Sequence, residues 1–152
     1  SFDDFCQSFR TLFVGYHYDK DKWSTVMWDE WWKVEDGTSQ GLPTRHNPDC
    51  ILQENPQFAI TVDRPTDLCL TLSQTEKGTP ISEPLEAMFF LYKPPKPIGL
   101  AEAPTESVRV EKMEASGIIA SSGQPQAERE MTISVHVPPG YYTILCAAYK
   151  TG

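Results

Sequence analysis

Long hydrophobic runs are absent from this sequence, and no apolar stretch approaches the roughly 18 residues that cross a membrane as a helix. The start of the chain lacks the pattern of a secretory signal peptide. Asn47 and Asn55 are both followed by proline, which excludes them from N-glycosylation sequons. These absences argue against a membrane-spanning or secreted protein and predict a cytoplasmic location.

Basic residues are also scarce. The chain of 152 residues has 13 Lys and Arg against 21 Asp and Glu, which gives a net charge of −8. Such a chain repels the phosphates of nucleic acids, so nucleic acid is excluded as a partner. Lys20 and Lys22 alternate with Asp19 and Asp21, as in a solvated turn. A contact with an anionic membrane would need a basic patch elsewhere or a bridging calcium ion.

The motifs of the common enzyme classes are missing. The sequence has no Gly-x-Gly-x-x-Gly, no phosphate-binding loop, no His-Glu-x-x-His and no Gly-x-Ser-x-Gly. His46, Asp49 and Cys50 lie close together, but a closed zinc site needs a fourth ligand. The same His46 and Cys50 could form a base and a thiol nucleophile, but no third group is present to orient them. The sequence therefore predicts no catalytic residue and no resident cofactor.

Cysteine is limited to four residues, Cys6, Cys50, Cys69 and Cys146. They could form two disulfides if the protein were a secreted, immunoglobulin-like domain. Cys69 and Cys146 each stand between apolar neighbours, where a small buried thiol packs well. Free thiols are therefore favoured over disulfides.

What is present is frequent turns and strong alternation. Thirteen prolines and nine glycines punctuate the chain at short intervals, and apolar residues alternate with polar ones between them. The predicted fold is all-β, an antiparallel β-sandwich of about eight strands with a short N-terminal helix. The clearest predicted hairpin joins residues 58–62 to 68–72 through a turn at Pro65. The other candidate strands are residues 12–18, 23–33, 87–92, 109–113, 117–120, 131–137 and 141–149.

The predicted helix covers residues 1–10 and has one apolar stripe, formed by Phe2, Phe5, Cys6 and Phe9. The irregular residues 37–55, 75–84 and 93–107 are predicted to be surface loops. All four tryptophans lie between Trp23 and Trp32. We interpret them as a strand that buries its rings against a sheet. The alternative, a platform on which a sugar or another ligand stacks, lacks polar groups to orient the ligand.

Calcium is bound in proteins by oxygen ligands, and aspartates on neighbouring loops could supply them. Asp29 and Asp36 lie near the first acidic turn, but the best candidates are Asp19, Asp21, Asp63 and Asp67. Their spacing is looser than that of a strong calcium site, so no bound metal is predicted. His17 and His136 fall within predicted strands, and alternation places His136 on the solvent face.

Three motifs, in this order, resemble the C2-like β-sandwich (domain III) that follows the peptidase core of calpains. They are Gly37-Thr38-Ser39-Gln40-Gly41, Asn55-Pro56-Gln57-Phe58 and Pro138-Pro139-Gly140-Tyr141-Tyr142. The resemblance implies that residues 1–11 are the last helix of a preceding peptidase-like core or a linker, and that residues 12–152 form the C2-like domain. It further implies a non-catalytic scaffold that packs on the peptidase-like core of the same protein. Association with another protein, the cytoskeleton or a membrane would follow from that role.

Two departures from the calpain pattern stand out. Leu42 occupies a position where the family often has a second glycine, and the acidic loop of the family is reduced to Asp63-Arg64-Pro65-Thr66-Asp67. The second departure puts calcium switching in doubt and suggests a divergent, protist-type member. The alternative function is an independent module that binds phospholipid in a calcium-dependent way.

Overall fold

The structure, a computed structural model, describes residues 19, 21–30, 32–33, 40–42, 49–74, 84–94 and 109–149. Six strands lie within these residues. They are β1 (Gln57–Val62), β2 (Thr66–Ser73), β3 (Ala87–Tyr92), β4 (Ile118–Ser121), β5 (Glu130–Val137) and β6 (Gly140–Ala148). Short 3-10 turns cover Leu52–Glu54 and Ala115–Gly117. The predicted helix over residues 1–10 and the predicted strand over 12–18 lie outside the described residues.

The strands form two antiparallel sheets. The larger has the order β1-β6-β3-β4, and the smaller pairs β2 with β5. The all-β prediction is confirmed. The expectation of about eight strands is too high for the described part of the chain, because residues 109–113 and the described residues of 23–33 are not strands. Residues 109–113 have only Val110 buried, which is too little apolar burial to hold an added strand on a sheet.

The hydrophobic core lies between the two sheets. It forms because alternate side chains of a strand point to the same face. The larger sheet contributes the buried side chains of Val62, Ala87, Phe89, Leu91, Tyr142, Ile144 and Cys146. The smaller sheet contributes Leu68, Leu70 and Leu72 from β2, and Met131, Ile133, Val135 and Val137 from β5. Successive side chains of a strand point to opposite faces, so one apolar series per strand is enough to fill this layer.

The connection between β1 and β2, the first crossing, and the connection between β5 and β6, the second crossing, each pass from one sheet to the other, whereas β3 and β4 pair within the larger sheet. The predicted hairpin between β1 and β2 is wrong, because β1 pairs with β6 and β2 pairs with β5. The connection between β5 and β6 also joins the two sheets. The two crossings therefore lie side by side, with Val62 opposite Gly140 and Thr66 opposite Val137. Alternation alone cannot distinguish a hairpin from such a crossing, since both bury one face of each strand.

A buried tyrosine stabilises the connection between β5 and β6. Tyr142 is fully buried, and its hydroxyl donates a hydrogen bond of 2.7 Å to the carbonyl of Pro138. A buried tyrosine bonded to the backbone a few residues upstream is a hallmark of sandwich corners. Lys93 places its Nζ 5.5 Å from the centre of the same ring. These contacts hold the turn from Pro138 to Gly140 on the end of the core.

The larger sheet is covered on its second face as well. Met88, Phe90, Tyr92, Leu145 and Ala147 point away from the smaller sheet and pack against Leu42, Leu52 and Val110. Every residue of β3 is therefore buried. The described parts of residues 37–55 were predicted to be surface loop, and that is wrong for Leu42, Leu52 and Asn55, which are buried. They form a lid on the sheet because β3 and β6 carry apolar residues on both faces.

Candidate functional site

The calcium candidates do not form a cluster. Asp19 accepts a hydrogen bond of 3.1 Å from the Asp21 amide and pairs with Lys22 at 3.6 Å. Asp67 lies on β2 and contacts His136 at 2.7 Å, while Asp63 is exposed in the first crossing. Within the described ranges, no three His, Cys, Asp or Glu side chains are grouped in a way that could hold a metal ion. The carboxylates thus act in local turns and pairs.

Cys50 contacts the backbone of Gly41. Its Sγ lies 3.3 Å from the Gly41 carbonyl, in hydrogen-bond contact, and burial raises the pKa of the thiol. A nucleophilic cysteine needs a lowered pKa, because the thiolate is the reactive form. His46, the other half of the hypothetical pair, lies outside the described residues. The backbone contact and the raised pKa of Cys50 therefore favour a packing role for this residue over catalysis.

Cys146 is buried more deeply, in β6. Burial raises the pKa of its thiol to about 12, because a thiolate would lose its hydration among apolar side chains. Cys50, Cys69 and Cys146 form no disulfide.

The buried thiol of Cys146 makes stability depend on pH. In the unfolded chain this thiol ionises near its ordinary pKa of 9.0, whereas in the folded protein it stays neutral until about pH 12. The stabilisation is therefore complete below pH 9 and is lost as the pH rises between these values, by at most about 1.4 kcal/mol per pH unit.

We expect urea titrations at pH 8, 9 and 10 to give a falling free energy of unfolding. In Cys146→Ala the decline should be shallower by up to about 1 kcal/mol per pH unit above pH 9. Cys50→Ala serves as the control for a less buried thiol. Parallel pH dependences of wild type and Cys146→Ala would contradict the buried-thiol account.

The densest polar network surrounds Asn55, just before β1. Its side-chain amide donates to the Gly41 carbonyl at 2.8 Å, and its carbonyl oxygen accepts from the Gln40 amide at 3.2 Å. Gly41 has a φ of 75°, a conformation that costs other residues about 1 kcal/mol or more. Asn55 therefore fixes residues 40–42 on the larger sheet, and it is fully buried in doing so.

Gln57 and Arg109 extend this network to a distant segment. The Gln57 amide nitrogen donates to the carbonyls of Leu52 and Val110, and its oxygen accepts from the Val110 amide at 2.7 Å. The Arg109 guanidinium donates to the carbonyls of Gln53 and Asn55. The Asn-Pro-Gln motif thus joins three chain segments through hydrogen bonds to their backbones.

Sequence reasoning singled out Asn55 and Gln57 only as part of a family motif, and it missed Arg109. Two amide side chains around a proline, directly before an apolar strand, are a local signal of a loop that must be held by hydrogen bonds. Arg109 has no such signal. Its partners lie more than 50 positions away in the sequence, at separations of 56 and 54.

The outer face of the smaller sheet is a ladder of polar pairs. Asp67 faces His136, Thr71 faces Thr132 with 2.8 Å between the hydroxyls, and the Ser73 hydroxyl donates to Glu130 at 3.2 Å. The solvent-facing orientation predicted for His136 is confirmed, since its side chain is 64% exposed. Such cross-strand pairs stabilise a two-stranded sheet and leave this face in contact with water.

Apolar side chains are exposed in the 23–28 segment. Trp23, Val26, Met27 and Trp28 are exposed by 38%, 64%, 82% and 46%. The predicted strand with buried rings is wrong for this segment, because its residues pair with no sheet. Trp28 stacks on Phe58 of β1 at 5.6 Å, and Trp32 packs against the core between the sheets. The segment is thus anchored beside β1 and presents the rest of its apolar surface outward.

No protein-family model matches the chain, and no curated protein is significantly similar to it. The resemblance to calpains therefore stays a prediction from the three motifs. In the part of the chain that the structure describes, no helix is long and apolar enough to span a membrane.

Proposed function

We propose that the chain is a non-catalytic C2-like interaction module of a divergent calpain-like protein, which packs on a peptidase-like core of the same protein. The observation that carries this proposal is the exposed apolar surface of the 23–28 segment. Full burial of one large apolar side chain contributes about 1.5–3 kcal/mol, so leaving several in water is costly. Exposed apolar surface of this kind marks an interaction site.

The polar side chains of the described core and loops support the same role. The side chains of Asn55, Gln57 and Arg109 each donate hydrogen bonds to backbone carbonyls of the chain. The thiols of Cys50 and Cys146 are shielded, and burial raises the pKa of both. These groups serve to hold the sandwich and its lid, which is what a scaffold requires. Association with the cytoskeleton or with a membrane would be a further consequence of the exposed segment.

The test uses the neighbouring part of the parent protein. If a peptidase-like segment is encoded beside this chain, the two separately expressed pieces should bind each other. Met27→Asp, which puts a charge at the most exposed apolar position, should weaken binding about tenfold or more. Ile119→Asp is the matched control, since Ile119 is an exposed residue of β4. A parent protein without a peptidase-like segment, or equal effects of both changes, would contradict the proposal.

Two further measurements separate this proposal from its rivals. The chain alone should not cleave casein at millimolar calcium, and cleavage that Cys50→Ala abolishes would contradict a non-catalytic role. Pelleting with phosphatidylserine vesicles only in the presence of calcium would favour the phospholipid-binding alternative. An Asp63→Asn, Asp67→Asn double variant would then tell whether the first crossing holds the ion.

A further inference from the structure

The four methionines of the chain differ sharply in exposure, and the described residues include all of them. Met27 is 82% exposed, whereas Met88 and Met131 are 8% and 5% exposed. Met113 is half-buried and packs against the apolar cluster between the lid and the larger sheet. The sulfur of Met27 is therefore the one that a small solute in water reaches most easily.

Met27 also dominates the polarity of the surface around it. Residues 23–28 carry no charged side chain, and Met27 has the largest exposed fraction among them. The neighbouring Trp28 stacks on Phe58 at 5.6 Å, so the backbone next to Met27 is anchored on β1. Methionine side chains are flexible and polarisable, and they are common on adaptable binding surfaces. A change in the polarity of Met27 is thus a change in the most exposed part of this surface.

The thioether of methionine is open to a specific chemical change. A lone pair of the sulfur attacks one oxygen of a peroxide such as hydrogen peroxide, the O–O bond breaks and an S–O bond forms. The hydroxide that leaves takes up a proton and becomes water. The sulfur is oxidised by two electrons and the peroxide is reduced by two. The product, methionine sulfoxide, is polar and chiral, and it disrupts apolar contacts.

The other sulfur groups of the described core are less available to a peroxide. Peroxides oxidise the thiolate form of cysteine, so a raised pKa slows the reaction. Burial raises the pKa of the Cys50 thiol and raises that of Cys146 to about 12. Both thiols are thus mostly neutral at pH 7. The fold shields these two sulfurs and the two buried methionines, and it leaves Met27 in water.

We propose that Met27 is an oxidation site, at which a peroxide converts the exposed apolar surface of residues 23–28 into a polar one and so weakens docking through that surface. The effect on docking rests on the proposed function of this surface, whereas the selective oxidation does not. Methionine sulfoxide is reduced again by methionine sulfoxide reductases, so the change is reversible. Because Met27 contributes little to the core, its oxidation leaves the fold intact.

Peptide mapping by mass spectrometry tests the selectivity. The native chain is treated with hydrogen peroxide, and the gain of one oxygen atom is followed at each methionine. Met27 should react about tenfold or more faster than Met88 and Met131, since buried sulfurs react only through local opening of the structure. The rates should converge in urea, where all four methionines are exposed. Equal rates at Met27 and the buried methionines in the native chain would overturn the proposal.

The change of surface polarity is measured on the chain alone. After peroxide treatment the native protein should elute earlier from a hydrophobic-interaction column, with an unchanged urea midpoint of unfolding. Met27→Leu cannot form a sulfoxide, so peroxide should leave its retention unchanged. Met113→Leu is the matched control and should keep the wild-type response. A loss of retention in Met27→Leu as large as in the wild type would place the responsible oxidation elsewhere and overturn the proposal.

The effect on docking is measured with the neighbouring peptidase-like segment. The oxidised wild type should bind it about tenfold more weakly than the untreated protein. The affinity of Met27→Leu, whatever its own value, should not change on treatment. Equal affinities of oxidised and untreated wild type would overturn the regulatory effect. A chain that does not bind this segment even when untreated would contradict the proposed function, while peptide mapping and chromatography still decide whether Met27 is the oxidation site.

Discussion

Replacing Gly117 by alanine is expected to lower the free energy of unfolding by about 1–3 kcal/mol, as for other overpacked core sites. A Cβ atom at this position would lie 2.4 Å from Cε2 of Tyr92 and 2.8 Å from the Lys93 carbonyl oxygen. Neither neighbour can yield easily. Tyr92 is 2% exposed, its hydroxyl accepts a bond from the Glu114 amide, and the Gly117 carbonyl accepts from the Lys93 amide.

Chemical denaturation followed by fluorescence measures this change, and a double-mutant cycle identifies its cause. Alanine should cost less in a Tyr92→Leu background, because the ring is then gone, although the clash with the Lys93 carbonyl remains. Gly123→Ala is the contrasting control. Gly123 has open space around it but a φ of 94°, so only backbone strain of about 1 kcal/mol applies. Equal costs of Gly117→Ala with and without the Tyr92 ring would contradict the steric explanation.

Asn55→Ala is expected to destabilise the protein by about 2–4 kcal/mol, from lost hydrogen bonds and a cavity. The change removes two hydrogen bonds and leaves the Gln40 amide without this acceptor and the Gly41 carbonyl without this donor, next to a fully buried site. Leaving a buried polar group without its partner costs about 1–3 kcal/mol. Alanine also leaves a cavity beneath residues 40–42.

Asn55→Asp distinguishes hydrogen bonding from volume. Aspartate has nearly the same shape, but its carboxylate cannot donate to the Gly41 carbonyl and would be buried as a charge. It should therefore be at least as destabilising as alanine at pH 7. Gln53→Ala, in the same short turn, is the control and should cost less than about 0.5 kcal/mol. Urea midpoints measure all three, and a well-tolerated Asn55→Asp would contradict the donor role.

Strand positions could be predicted well because one physical signal sets them. β2 and β5 each alternate an apolar residue with a polar one, from Leu68 to Leu72 and from Met131 to Val137. The prediction of a strand is wrong where an apolar segment pairs with neither sheet. Residues 23–28 have the composition of a strand, yet a strand exists only where its backbone groups find partners.

The candidate sites were less predictable because they depend on contacts between distant segments. The Asn-Pro-Gln motif was visible in the sequence, but its role required the position of Val110, which is 53 residues beyond Gln57. The spacing of Asp63 and Asp67 suggested a shared turn, whereas Asp67 faces His136 across the smaller sheet. Local spacing does not specify which strand lies opposite.

The sequence by itself determined the all-β class, the positions of the six described strands and, for β1, β2 and β5, the side that faces the core. It did so because alternation of apolar and polar residues is a local property with a period of two. Only the tertiary structure decided that β1 and β2, and likewise β5 and β6, lie in opposite sheets, that the lid covers the second face of the larger sheet and that residues 24–29 join neither sheet. These features depend on backbone hydrogen bonds and apolar contacts between residues far apart in the chain, which leave no periodic trace in the sequence.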